Sequence, residues 1–256
     1  MDKLPISVFI ITLNEEKNIA RALSSVSFAD EIVVVDSGST DKTLDIIKSF
    51  GITPIHNDWP GYAAQKQFAL KQCNHDWVLN IDADEEISEA LAERFKRVVE
   101  QDKYSSVRCL RIEKFIGKYL SNWTKKPNNR RFYKRLSATF DETRLVHESA
   151  KVDGEELFVS EELIHHGYST IEILTDKKNQ YSSLKAKEKF LKNKRFSLAK
   201  LLLIFPLVFI QELFFKRKIF SGTRGVILSV IAAHYAFIKE AKLFEYSVKE
   251  NSASSN

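Results

Sequence analysis

Cysteine is scarce in this chain. Cys73 and Cys109 are its two cysteines in 256 residues; their spacing fits no metal-ligand pair, and two thiols cannot build a disulfide framework. Zinc modules and secreted disulfide scaffolds are therefore excluded, and both side chains read as buried thiols of a reducing compartment. The start, Met1-Asp2-Lys3 followed by an apolar strand, bears no leader-cleavage pattern, so the catalytic part is expected in the cytoplasm. Glycine spacings that make a Walker loop or a dinucleotide fingerprint are missing, which removes those two ways of holding phosphate. The longest uninterrupted apolar run, Leu201 to Ile210, is about half of what a membrane-spanning helix needs and contains Pro206. The basic segments lack interleaved aromatics and any recognition motif, so nucleic acid is not an expected partner.

What remains is a chain of 44% hydrophobic residues, long enough for one α/β domain with an extension. Its net charge of +5 is unevenly placed. Basic residues gather in Lys118 to Arg135 and in Lys177 to Lys200, next to the most apolar part of the chain, which points to an anionic membrane surface.

Ile6-Ser7-Val8-Phe9-Ile10-Ile11-Thr12 is the near-continuous apolar run of a strand buried on both faces. It ends in Leu13-Asn14-Glu15-Glu16, and Ile19, Ala22, Leu23 and Val26 then recur at helical spacing. Glu31 to Val35 repeats this grammar and runs into Asp36-Ser37-Gly38-Ser39-Thr40-Asp41, a loop small enough for a ligand to approach its main-chain N–H groups. A helix from Tyr62 to Gln72 carries Gln65 and Lys66 near its start. Trp77 to Asp82 is a strand that delivers Asp82 and Asp84 to its carboxyl end, where two carboxylates of like orientation can share one hard cation; Ser88 caps the helix that follows. A further strand spans Val107 to Ile112. Alternating strands and helices predict a mostly parallel sheet whose ligands lie at the strands' carboxyl ends, and Asn14, Asp36, Asp41, Asp82 and Asp84 all fall there.

Thr12-Leu13-Asn14-Glu15-Glu16, Asp36-Ser37-Gly38-Ser39-Thr40-Asp41 and Asp82-Ala83-Asp84-Glu85, in this order, resemble the motifs of the family 2 inverting glycosyltransferases of GT-A fold. Arg130-Arg131-Phe132-Tyr133, Val146-His147-Glu148, His165-His166-Gly167-Tyr168 and Lys177-Lys178-Asn179-Gln180-Tyr181 look like the bacterial subgroup that adds sugars to the lipopolysaccharide inner core, such as a β-1,4-glucosyltransferase acting on core heptose. The resemblance implies that Thr12, Asn14 and Glu15 line the nucleotide pocket, that Asp36 bonds uracil or ribose and that Asp41 supports the loop. It further implies that Asp84 ligates Mg²⁺ or Mn²⁺ on the diphosphate, that Asp82 reaches the ribose or the metal through water, and that Gln65, Lys66 and Arg131 contact a UDP-sugar donor. Departure of a diphosphate calls for a cation and a fork-shaped guanidinium, and inversion calls for a base opposite the leaving group. Glu148 is the candidate base, with Glu85 and Asp141 as alternatives. His147, His165 and His166 stay open as metal ligands or structural hydrogen-bonders.

From Thr170 the pattern turns helical: Ile171 to Lys194 is lysine-rich and amphipathic, then come the apolar segment through Phe215, the basic run Lys216-Arg217-Lys218, and a second amphipathic segment, Gly225 to Phe244. The expected division is a catalytic domain over 1–170, a membrane-associating helical extension over 171–250 and a disordered tail over 251–256. The predicted protein is a metal-dependent hexosyltransferase, peripheral on the cytoplasmic face of a bacterial inner membrane, with a lipopolysaccharide core acceptor. The competing readings are transfer to a polyprenyl-phosphate carrier and a non-catalytic nucleotide-binding membrane adaptor.

Overall fold

The structure, a computed structural model, describes residues 3–142 and 149–253. The chain opens with β1 (Leu4–Thr12), α1 (Ile19–Ser25), β2 (Ala29–Asp36), α2 (Thr43–Ser49), β3 (Ile55–His56), α3 (Tyr62–Lys71), β4 (Trp77–Asp82), β5 (Glu85–Ile87) and α4 (Glu89–Gln101). It continues through β6 (Ser106–Phe115), β7 (Lys118–Tyr119), β8 (Asn128–Lys134), β9 (Ala138–Thr139), β10 (Lys151–Val152) and β11 (Glu156–His165). Three helices close it: α5 (Ile171–Leu191), α6 (Leu198–Ile210) and α7 (Gly222–Ala253).

Among the described residues, β1 to β8 and β11 form a nine-stranded sheet in which β3, β2, β1 and β4 are parallel neighbours; β9 and β10 make a separate pair. Both faces of β1 are buried, which is why its sequence is continuously apolar rather than alternating. Ile6, Val8 and Ile10 pack beneath Ile19 and Leu23 of α1, Ile47 of α2 and Leu91 and Phe95 of α4. Phe9 and Ile11 point the other way, against Ala63, Ala69 and Leu70 of α3. Each fully buried side chain of this kind is worth about 1.5–3 kcal/mol, so the pairing register of β1 is strongly fixed. That register sets Thr12 beside Asp36 and Ile11 beside Asp82, bringing three strand ends to one edge. Ser88 caps α4, its side chain accepting from Leu91 N at 3.3 Å, as its position before an apolar run predicts.

Beyond β4 the sheet is mixed. β8 runs antiparallel to β4 and β6, and β11 is parallel to β6 but antiparallel to β5. In this part of the sheet His165 is the partner of both Glu85 and Glu113.

The chain divides into two compact units: residues through Glu113 with Lys126–Gly167, and Lys114–Lys125 with Tyr168 onward. Segment 114–125, which the sequence reading leaves in the catalytic domain, folds with the helices. Residues 251–253, read from sequence as the start of a tail, continue α7. The apolar segment also differs from expectation. Leu198–Phe215 forms one helical length of 18 residues, long and apolar enough to cross a membrane by length and composition. The helix passes through Pro206, and Lys216 and Lys218 neutralise Glu212 at 2.5 and 2.7 Å, so neither residue interrupts it.

Candidate active site

The loops after β1 and β2 are built into each other. Asn14 adopts a left-handed backbone, φ 55°, that orients its amide side chain across the gap. Its Oδ1 accepts from Thr40 N at 2.8 Å, while its own N–H donates to Ser39 Oγ at 2.8 Å. Glu15 N donates to Thr43 Oγ1 at 2.8 Å, and Asp41 accepts from Thr43 N at 3.0 Å and from Glu16 N at 3.2 Å. Asp41 thus supports the loop from within it. Asp36, placed by the resemblance on the nucleotide, is buried with its carboxylate accepting from Gly38 N and Ser39 N, both at 2.8 Å, and from Ser39 Oγ. Gly38 sits at φ 96°, a conformation other residues rarely adopt. Thr12, buried at the end of β1, leaves its hydroxyl without a hydrogen-bond partner there.

Gln65 and Lys66 point inward from α3. Gln65 Nε2 donates to Ser37 Oγ at 2.9 Å and to the Asn57 carbonyl at 3.1 Å, so this residue braces the β2 loop. Lys66, which a solvated helix face would leave in water, is buried and its Nζ lies 2.8 Å from Asp82.

Residues of β4, β5, β6, β8, β11 and the turn after β4 carry a connected charge network. Arg131, buried on β8, reaches Asp82 Oδ2 at 2.7 Å and also pairs with Glu85. Arg111 holds Glu113 at 2.6 Å and stands 3.8 Å from Glu85. Glu113 meets His165 Nδ1 at 2.5 Å, and His165 Nε2 lies 3.2 Å from Asp84 Oδ2. His166 turns to Glu86 at 2.5 Å, and its N–H donates to the Asp84 carbonyl at 2.9 Å. Burial works to raise the Asp82 carboxyl, but Arg131 and Lys66 hold it well below the usual carboxylate range. Glu85 is raised by its burial, which its cationic neighbours only partly offset. For Glu113, His165 and Arg111 outweigh burial and hold it down to about 2. For His165, burial is outweighed by Asp84 and Glu113, which raise it to about 10. Burial pushes both cysteine thiols up to about 12, as inert core groups.

Asp82 and Asp84 therefore differ in kind despite their spacing. Asp82 is neutralised by two cations, yet keeps 35% of its side-chain surface open. Asp84 faces the imidazolium of His165, whose far nitrogen is fixed by Glu113, so the ring orients the Asp84 carboxylate through a charged hydrogen bond. Among the described residues no three carboxylate, histidine or cysteine side chains gather to hold a metal. A carboxylate oriented in this way suits a divalent ion that arrives with phosphates and keeps waters, as Mg²⁺ and related ions do, better than a preformed cage.

Two expectations change with these contacts. Arg131 and Lys66 pair with Asp82 rather than standing open to a donor, and Arg131 also neutralises the fully buried Glu85. Glu85, tied to Arg131 in the interior, is not placed to take a proton from an incoming hydroxyl. The Glu113–His165 pairing was not anticipated: Glu113 lies next to Ile112 in an ordinary strand run, and only the β6–β11 register brings it to the histidine. Glu148 and His147 lie outside the described residues.

Residues 7–152 match the model of the glycosyl transferase family 2. The chain is a family 2 glycosyltransferase. It is similar along nearly its whole length to members of the family from bacteria: it is 36% identical to an uncharacterized glycosyltransferase of Rickettsia typhi, covering 95% of this chain and 88% of that one. It is 34% identical to the lipopolysaccharide core biosynthesis glycosyltransferase LpsC of Rhizobium meliloti, covering 95% and 93%. A solved structure of S. aureus TarS aligns over 97% of this family 2 chain and 92% of its own, at 16% identity and a TM-score of 0.49. Membership therefore rests on the sequence matches, and the α/β sheet with helices after it is the GT-A architecture that membership implies.

Proposed function

We propose that this glycosyltransferase moves a hexose, glucose from UDP-glucose, with inversion onto a heptose of the lipopolysaccharide inner core, working as a peripheral enzyme on the cytoplasmic face of a bacterial inner membrane. The acceptor class is supported by similarity along the chain to LpsC. The observation that carries the chemistry is Asp84 at the carboxyl end of β4, 3.2 Å from His165 Nε2 with Glu113 behind the ring. Asp84, oriented by His165, would hold Mg²⁺ or Mn²⁺, which when bound supplies positive charge to the departing diphosphate. The loop built by Asn14, Glu15, Asp36 and Asp41 offers main-chain groups to the nucleotide, with the Thr12 hydroxyl at its floor. Lys66, Arg131 and Gln65 act behind this surface, fixing Asp82 and the β2 loop so that little reorganisation accompanies donor binding. Glu148 is the proposed base that accepts the proton of the attacking heptose hydroxyl.

The test is a screen of nucleotide-sugars with purified core lipid, alongside calorimetry with UDP and Mn²⁺. Asp84→Ala is expected to abolish metal-dependent UDP binding and transfer while the far-ultraviolet circular dichroism is unchanged. Glu148→Gln is expected to bind donor normally and to lose at least about a hundredfold in turnover, within the range for general-base removal. Normal turnover by Glu148→Gln would move the base elsewhere, and metal-independent transfer by Asp84→Ala would remove the metal assignment.

A further inference from the structure

Segment 114–125, inserted between the body of β6 and β8, is rigidly fastened to the helical unit. Ser121 N donates to Ser221 Oγ at 2.9 Å, Thr124 Oγ1 lies 2.9 Å from the same hydroxyl, and Lys125 N donates to the Lys216 carbonyl at 3.0 Å. Arg224 closes the base of the insertion, donating to the carbonyls of Phe115 and Ile116 at 3.2 and 3.3 Å. At its outer end Trp123 is 70% exposed, with its ring centroid 6.1 Å from that of Phe220, itself 58% exposed. Phe215, 77% exposed, ends the apolar length that begins with Leu198. Large aromatics held open by a hydrogen-bonded scaffold mark an interaction surface, because a chain selected only for solubility would bury or replace them.

We infer that Trp123 and Phe220 form an aromatic wedge that enters the headgroup level of an anionic bilayer beside the exposed apolar face of α6. The inference rests on the membrane reading above and adds a residue-level anchor that lies outside the amphipathic helices. An indole with one apolar and one wet side suits that depth, and exposed Lys125, next but one to Trp123, and exposed Arg217, whose carbonyl accepts from Thr124 Oγ1 at 3.4 Å, match lipid phosphates in charge. The same cations argue against a second copy of this chain as the occupant, since a two-fold contact would set them against each other. Insertion is shallow rather than spanning. Near its start α6 packs on charged parts of its neighbours: Lys200 lies 3.4 Å from buried Glu240 of α7, which also takes Lys189 of α5 at 2.9 Å, and Phe196 stacks near Phe244. Carrying α6 through the hydrocarbon would take these groups with it.

The test uses the full chain with vesicles of neutral lipid and of neutral plus anionic lipid, brominated at shallow or deep acyl positions. The difference emission, wild type minus Trp123→Phe, isolates Trp123 from the other two tryptophans. Its emission is expected to shift to the blue on anionic vesicles and to be quenched more by shallow than by deep bromines. Trp123→Ser combined with Phe220→Ser is expected to weaken vesicle partition by about tenfold, the loss expected for two interfacial aromatics, with UDP binding unchanged. Unquenched Trp123 on a chain that still binds vesicles would overturn the wedge while leaving membrane contact by α6 intact. Deep quenching would overturn the shallow placement, and self-association lost in the double variant without lipid quenching would assign the surface to a second copy. Absence of vesicle binding by the wild type would instead sink the membrane reading itself.

Discussion

Arg131 shows what a single side chain does in this site. It lies between fully buried Glu85 and half-buried Asp82, so among the described residues its removal leaves Glu85 in the interior with only Arg111 as an ion-pair partner, 3.8 Å away, and Asp82 with only Lys66. Arg131→Met is expected to cost about 3–5 kcal/mol in denaturant unfolding, the range for breaking one side of a buried pair. Arg131→Met with Glu85→Gln should recover part of that loss, because the buried and under-compensated charge is then gone. A loss below about 1 kcal/mol for the single variant, typical of exposed pairs, would show that the network is not tightly closed. Sequence alone marks Arg131 as a phosphate-binding fork, which is a sound reading of its chemistry. The fork is used, but on carboxylates of the protein.

At the scale of elements, the strands and helices of the first half are legible because periodicity and burial agree: β1, β2 and β4 are apolar on both faces, and α1 and α4 are apolar on one. The helical extension is less legible. The sequence pattern starts the second amphipathic segment at Gly225, whereas α7 already begins at Gly222 and the break lies in the 3-10 turn Lys218–Ser221. Gly225 lies inside α7 and works by size. A Cβ at that position would stand 1.8 Å from the Lys218 carbonyl oxygen, a backbone atom with no free end to swing away. Gly225→Ala is therefore expected to destabilise the helical unit by about 1–3 kcal/mol, the ordinary penalty of overpacking, despite the better helix propensity of alanine. Thermal unfolding followed by circular dichroism checks this, and a raised midpoint would show that helix propensity outweighs the close approach.

The whole molecule should respond to pH through the same network. His165, raised to about 10, contributes stability that is complete below the ordinary histidine pKa of about 6.5 and is lost as pH rises towards 10. Glu113, held down to about 2, contributes stability that is complete above the ordinary glutamate value of about 4.3 and is lost as pH falls towards 2. Unfolding free energy measured in chelator should therefore be greatest between about pH 5 and 6.5 and decline on either side. His165→Gln should flatten the alkaline limb while leaving the acid limb in place. An unchanged alkaline limb in that variant would assign the decline to other groups.

The sequence by itself determined the family, the parallel start of the sheet and the strand ends at which the site forms, because each depends on local pattern: apolar runs, small-residue loops and carboxylates at fixed offsets. Only the tertiary structure decided how the two aspartates differ. Asp82 and Asp84 are equivalent in spacing, but β8 brings Arg131 to one and β11 brings His165 to the other, with Glu113 behind it. Those partners lie far along the chain and meet through strand register, which local pattern does not encode.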